Sequence, residues 1–397
     1  MRPFIKGLEL SERFYREAVA PILARRFPQL VHSAALIGPG SDVLGLDTPQ
    51  SMDHDWGPRL LLFLSEAEAA PRSGAIAEAL RRELPPEIHG FPTSFGTHAD
   101  GTGRMAAAEA GAVEHRVSVH TVRGYFWDVL GFDPVGVSVG DPAGTPVGNP
   151  AGTPAGNPMG GPAGNPAGTP AGMIRPVDWV SVPANRLLML TAGRVFHDGL
   201  GELVPLRARL AAYPHDVWLY LLAAQWRRIG QEEAFVGRCG QVGDDLGSRL
   251  VAARLARDLM HLCFLMARRY APYLKWLGTA FAQLDCGGEL VPVLARVLAA
   301  VTWEERQTAL TVAYEAVARM HNALGVTEPL STDVRPFWSR PFLVIGADRF
   351  VAALRAAITS EEVLALPERL GSVDQVVDST DALGDLERLR ALYSTSS

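Results

Sequence analysis

The stretch Leu36–Leu64, LIGPGSDVLGLDTPQSMDHDWGPRLLLFL, decides how this chain is read. An apolar run ends at Gly40-Ser41, the triplet Asp53-His54-Asp55 follows, and a second apolar run closes the stretch. The pattern reads as a strand, a small-residue turn and a second strand, with two carboxylates at the mouth of the second strand. Carboxylates at i and i+2 of a strand share a face and stand about 6.6 Å apart along it. Oxygen-rich pairs of that kind suit the hard divalent cations that accompany triphosphates.

Before this stretch, Gly7 to Phe27 reads as a helix stopped by Pro28, with Leu10, Phe14, Val19 and Ile22-Leu23 on one face. After it, Ser73 to Leu84 reads as a helix, Glu87 to Phe95 as a weak strand, and Val113 to Val122 as an alternating strand. From Asp141 to Gly172 a four-residue unit with Pro at its second position and Gly at its fourth recurs eight times. Proline at that frequency sustains neither helix nor ladder, and the segment has too little apolar bulk to offset its ordering entropy. It reads as a flexible insert. Beyond it the pattern is helical: 183–192, 203–212, 215–229, 245–270, 272–284, 290–300 and 304–324. A late strand over 341–345 and a helix over 347–358 follow, and the tail after Thr380 reads as loose.

Composition bounds the function. The 397 residues carry a net charge of −6 with no Lys/Arg block, which speaks against broad binding to nucleic acid or anionic membrane. The three cysteines, Cys239, Cys263 and Cys286, lack CxxC spacing and suit a reduced, cytoplasmic setting. The N-terminal residues show no signal-peptide pattern, and no apolar window is long enough to span a membrane.

An apolar residue, Gly, a small residue, and then Asp-x-Asp on a strand is similar to the nucleotidyltransferase superfamily, the fold shared by DNA polymerase beta and aminoglycoside nucleotidyltransferases. The longer string GSDVLGLDTPQSMDHDWGPR (40–59) resembles an uncharacterised bacterial domain-of-unknown-function family of nucleotidyltransferase-like proteins. That resemblance extends through VGDDLGSRLVAARLARDLM (242–260) and RRYAPYLKWLGTAF (268–281) but not through the repeat. Together with the composition, it gives an α+β protein: a mixed sheet with flanking helices over 1–135 and an α-helical bundle over 177–360, with the insert read from its composition as disordered over 136–176 and a partly loose segment over 361–397. It implies that Asp53 and Asp55 hold Mg²⁺, with room for two ions, and that Gly40 and Ser41 bind the nucleotide; Arg59 would neutralise phosphate or pair with Asp47 or another carboxylate, and Lys275 would reach the triphosphate or snorkel beside Trp276. Glycine lets the backbone approach phosphate closely, and a serine hydroxyl adds a donor. The activity implied is transfer of a nucleoside monophosphate from an NTP to a hydroxyl of a small molecule or protein.

One position departs from that pattern. Superfamily members carry a third acid on a neighbouring strand, and here Ser118 stands in its place. Glu114 shares the face but lies about 13 Å away along a strand, and imidazole of His120 is a poor Mg²⁺ ligand. The same residues therefore also fit an inactive nucleotide-binding sensor or partner-binding module. In the helical half, Asp244, Asp245 and Asp258 are weaker candidates for a missing base. Asp244-Asp245 reads as a helix cap, and Asp258 as an i, i+4 partner of Arg254. Arg254 and His261 stand in an R-x6-H spacing that also suits an RNase-type helical domain, a third and weaker reading.

Overall fold

Ser33–Leu36 (β1) and Arg59–Leu64 (β2), the two apolar runs of the opening stretch, pair antiparallel in the computed structural model of this protein. The structure describes residues 3–97, 102–106, 113–135 and 174–393. The tetrapeptide repeat lies outside them. Arg116–Thr121 (β3) joins β2 in parallel, with Arg59 opposite Arg116, Leu61 opposite Ser118 and Phe63 opposite His120. Arg194–Asp198 (β4) completes a mixed four-stranded sheet of order β3-β2-β1-β4. Helices accompany this sheet and predominate among the remaining described residues, so the fold is α+β.

The chain forms two compact units, one of Met1–Ile174 with Arg186–Ala211, the other of Arg175–Asn185 with Ala212–Ser397. The division differs from the expected boundary at 177. Residues 186–211 were expected in the helical bundle, but β4 pairs with β1, and the Ser33 hydroxyl donates to Asp198 at 2.8 Å. A strand pairing more than 160 residues away in sequence carries no local signal.

In the first unit, Gly7–Phe14 (α1) and Ala20–Arg26 (α2) form one helical run joined by a π-helical turn, Tyr15–Val19. Between β2 and β3, Glu66–Glu83 (α3) supplies the crossover that parallel strands require. Period-two alternation then divides the sheet. Leu60, Leu62, Leu64 and Val117 pack with Leu10, Phe14, Ile76 and Leu80 of the helices in one buried core. Arg59, Leu61 and Phe63, with their register partners Arg116, Ser118 and His120, take the opposite face. Val122–Leu130 (α4) follows β3 directly, capped by the Thr121 hydroxyl, which accepts from Gly124 N.

The second unit is mainly helical. His215–Glu232 (α5) packs against Asp245–Met266 (α6) and Asp348–Ala357 (α10). Leu274–Phe281 (α7), Gly287–Ala299 (α8) and Trp303–Ala323 (α9) lie between α6 and α10 in sequence. Trp226, buried on α5, stacks on Phe350 of α10 at 4.1 Å between ring centres. The expected strand over 341–345 is short: Leu343–Val344 pairs with Arg335–Pro336.

Candidate nucleotide site

The loop between β1 and β2 is built around four aspartates that the chain uses differently. Asp42 is buried at 1% exposure. It takes a two-pronged contact from Arg59, Nη2 to Oδ1 at 2.8 Å and Nε to Oδ2 at 3.3 Å, and accepts from Val43 N at 2.9 Å. Arg59 also donates to the Pro39 carbonyl at 2.9 Å, so its guanidinium lies against the Gly38–Gly40 turn. Burial works against the Arg59 charge, but Asp42 more than restores it and holds the guanidinium protonated above its ordinary range. Asp47, also buried, accepts from Gly7 N at 2.7 Å and Trp56 Nε1 at 3.0 Å and anchors the start of α1.

Gly40 has φ +140°, and a Cβ there would lie 2.2 Å from Asp42 Oδ1 and 2.4 Å from Arg59 Nη2. Only glycine lets the turn run this close to the ion pair. The amides of Gly40 and Ser41 make no hydrogen bond among the described residues, whereas Gly38 N is spent on the Met189 carbonyl at 2.8 Å. The turn therefore presents two open amides and the half-buried Ser41 next to a fixed guanidinium, which is what a phosphate group needs.

Asp53 and Asp55 do not lie on a strand, contrary to the expectation from their spacing. Pro49–Asp53 forms a 3-10 turn, Asp55 is left-handed at φ +48°, and β2 begins only at Arg59. The extended run cannot pass through this segment, because Gly57 is at φ +138° and Pro58 has no amide to give a ladder. Arg59, four residues beyond Asp55, therefore does not share a strand with it. Arg59 is aligned instead with Arg116 across the parallel pair. Asp55 Oδ1 accepts from Arg116 Nη1 at 2.8 Å and from Gly103 N at 3.2 Å, and Asp55 N donates to Gly103 O at 2.7 Å. Asp53 is exposed at 63%, with Oδ1 2.9 Å from His54 Nδ1.

Whether these acids fit the magnesium that the sequence resemblance implies depends on their remaining oxygens. Oδ2 of Asp53 and Oδ2 of Asp55 have no partner among the described residues, so one turn holds two hard oxygen donors. Mg²⁺ keeps several waters and binds through one or two carboxylates plus substrate phosphates, so the donor chemistry of these oxygens suits such an ion. For a second ion it falls short. Among the described residues no group of three or more His, Cys, Asp or Glu could hold a metal.

Ser118 is not idle. Its Oγ lies 2.9 Å from His120 Nε2. His120 packs edge-on against Tyr125 of α4 at 5.1 Å and tilts against Phe63 at 6.2 Å. Burial pushes the His120 imidazole down to about 4 and the Tyr125 phenol up to about 12. The Tyr125 hydroxyl reaches back under the glycine turn, 2.4 Å from where a Cβ on Gly38 would sit.

The remaining expected residues lie elsewhere. Lys275 is in the second unit, at the start of α7, with its ammonium 5.2 Å from the Trp276 ring centre. Asp244 caps α6, accepting from Gly247 N at 2.8 Å. Asp258 pairs with Arg228 of α5 at 3.1 Å rather than with Arg254, because its side chain is turned into the bundle. Arg254 pairs with Glu232 at 3.3 Å, and His261 lines a small cleft with Tyr213, Tyr270 and Asp374. The residues that sequence reasoning missed are Asp42, Gly103 and Tyr125. Asp42 follows Gly40-Ser41 directly, and that adjacency was the available signal.

Residues 179–277 match a family model described as Domain of unknown function (DUF4037). The matched region runs from β4 and its flanking helices through α5, α6 and the first half of α7. No curated protein matches the chain, and no solved structure does. Among the described residues no helix is long and apolar enough to cross a membrane.

Proposed function

We propose that the first unit binds a nucleoside triphosphate as its magnesium complex and transfers the nucleoside monophosphate to a hydroxyl. The observation that carries this reading is the Gly40-Ser41 turn, whose open amides lie beside the Arg59 guanidinium, in the same loop as the Asp53–Asp55 oxygens. In this reading the Gly40 and Ser41 amides and Arg59 hold phosphate oxygens, and Asp53 and Asp55 hold the ion. The ion, when bound, supplies charge neutralisation to the phosphates. Resemblance to nucleotidyltransferases in the 40–59 string supports the same reading.

A second reading, nucleotide binding without transfer, is favoured by Ser118 in the place of the third acid. Calorimetry with ATP and Mg²⁺, beside incubation with labelled ATP and hydroxyl acceptors, separates the two. Binding with label transfer that is lost in Asp53→Asn supports transfer. Binding without any covalent label supports the second reading, and no binding at all overturns both.

A further inference from the structure

Three rows of register partners cross β2 and β3 on the site face: Arg59 with Arg116, Leu61 with Ser118, and Phe63 with His120. The first row carries the two guanidiniums that hold Asp42 and Asp55. One row further along the strands, the chain places a hydroxyl, Ser118. One row further again stands an imidazole bonded to it at 2.9 Å. Ser118 Oγ is the only described hydrogen-bond partner of His120, and the ring is fixed by Phe63 and Tyr125. In the tautomer with its hydrogen on Nδ1 the Nε2 lone pair faces the serine; burial leaves the ring neutral and disfavours the imidazolium, a cost that the negative charge of a bound triphosphate would offset. A hydroxyl within hydrogen-bond reach of a neutral, oriented imidazole is the arrangement that makes serine a nucleophile. The serine is half-buried and lies on the same face as Arg59, which lines the glycine turn.

We propose that Ser118 is itself the acceptor: the protein nucleotidylates its own serine, with His120 as the base. Ser118 Oγ attacks the α-phosphorus of the bound nucleoside triphosphate, and the bond from that phosphorus to the oxygen bridging to the β-phosphate breaks. Pyrophosphate leaves, the serine proton passes to His120 Nε2, and the product is a serine carrying a nucleoside monophosphate through a phosphodiester. This inference rests on the nucleotide-binding reading above and names the acceptor for it.

The test uses the full chain with ATP and Mg²⁺, read by intact mass, by peptide mapping and, in parallel, by calorimetry. The expected result is a mass gain of one adenosine monophosphate on the peptide containing Ser118. It is absent in Ser118→Ala and about a hundredfold slower in His120→Gln, which keeps a hydrogen bond to the serine but cannot take its proton. Unchanged ATP binding by both variants shows that they fold. If ATP binds and no mass is gained, or if the gain survives in Ser118→Ala, the inference is overturned while the binding reading stands. If ATP does not bind the wild-type chain, the binding reading fails and the inference fails with it.

Discussion

Replacing Asp42 with alanine should loosen the sheet at β2. The carboxylate is 1% exposed and compensates a guanidinium whose side chain retains 17% exposure. Removing one partner of a buried ion pair costs about 3–5 kcal/mol, because the other charge stays buried without compensation. Arg59 keeps the Pro39 carbonyl and some access to water, which places the cost at the lower end, about 3 kcal/mol. At 1.36 kcal/mol per decade that is about a hundredfold loss of protection. Hydrogen exchange followed by mass spectrometry reads it directly on peptides covering Arg59–Leu64, with α6 of the second unit as an internal control. Asp42→Asn keeps an acceptor for Val43 N and for one Arg59 donor, so its effect should be about half as large in free energy. Protection of β2 in Asp42→Ala within threefold of wild type would refute the claim that this pair holds the loop to the sheet.

Gly40→Ala should disrupt the same pair from the other side, since its Cβ falls 2.2 Å from Asp42 Oδ1 at φ +140°. ATP affinity by calorimetry should fall at least about tenfold, while Gly74→Ala in α3, where a Cβ meets nothing within 4 Å, should leave it unchanged. Acid should destabilise the protein through histidines buried neutral: His120, His261 and His321 are each pushed down by burial from 6.5 to about 4. Their contribution is complete above pH 6.5 and is lost as pH falls toward 4, roughly 3 kcal/mol each. Asp374, raised by burial from 3.8 to about 6, works the other way over the same range and offsets about one of them. Urea midpoints should therefore drop between pH 7 and pH 4.5, and a flat profile would contradict the burial argument.

Strands β2 and β3 were legible because β2 is a dense apolar run and β3 alternates, and α3 lay between them at crossover length. The fourth strand was not, since RVFHD has one short apolar pair and its partner precedes it by more than 160 residues. The acids were legible as a cluster but not as a geometry. Their i, i+2 spacing carries face information only in extended backbone, and Asp55 adopts a left-handed conformation that aspartate tolerates better than most residues. Nor could spacing say which carboxylate would claim Arg59. The choice fell to Asp42, 17 residues earlier, through a turn that closes only because Gly40 has no side chain. Ser118 was recognised as a departure from the acid pattern, but its bond to His120 required the register of one strand to be real rather than assumed.

The two ion pairs of the site face belong together in a way that bears on substrate. Arg59 and Arg116 are register partners, and each is neutralised by a carboxylate from the loop above, Asp42 and Asp55 respectively. The pairs differ in burial. Asp42 is sealed, whereas Asp55 is 37% exposed and Arg116 27% exposed. Only the outer pair can be exchanged without exposing a core charge. In the proposed reading, a triphosphate entering with its cation would offer both halves of that exchange, a cation for Asp55 and phosphate oxygens for Arg116. The inner pair then serves as the fixed floor of the site and the outer pair as its adaptable rim. Ser118 stands one register row beyond the two arginines on the same face of the sheet, which is where the proposed self-modification places its nucleophile.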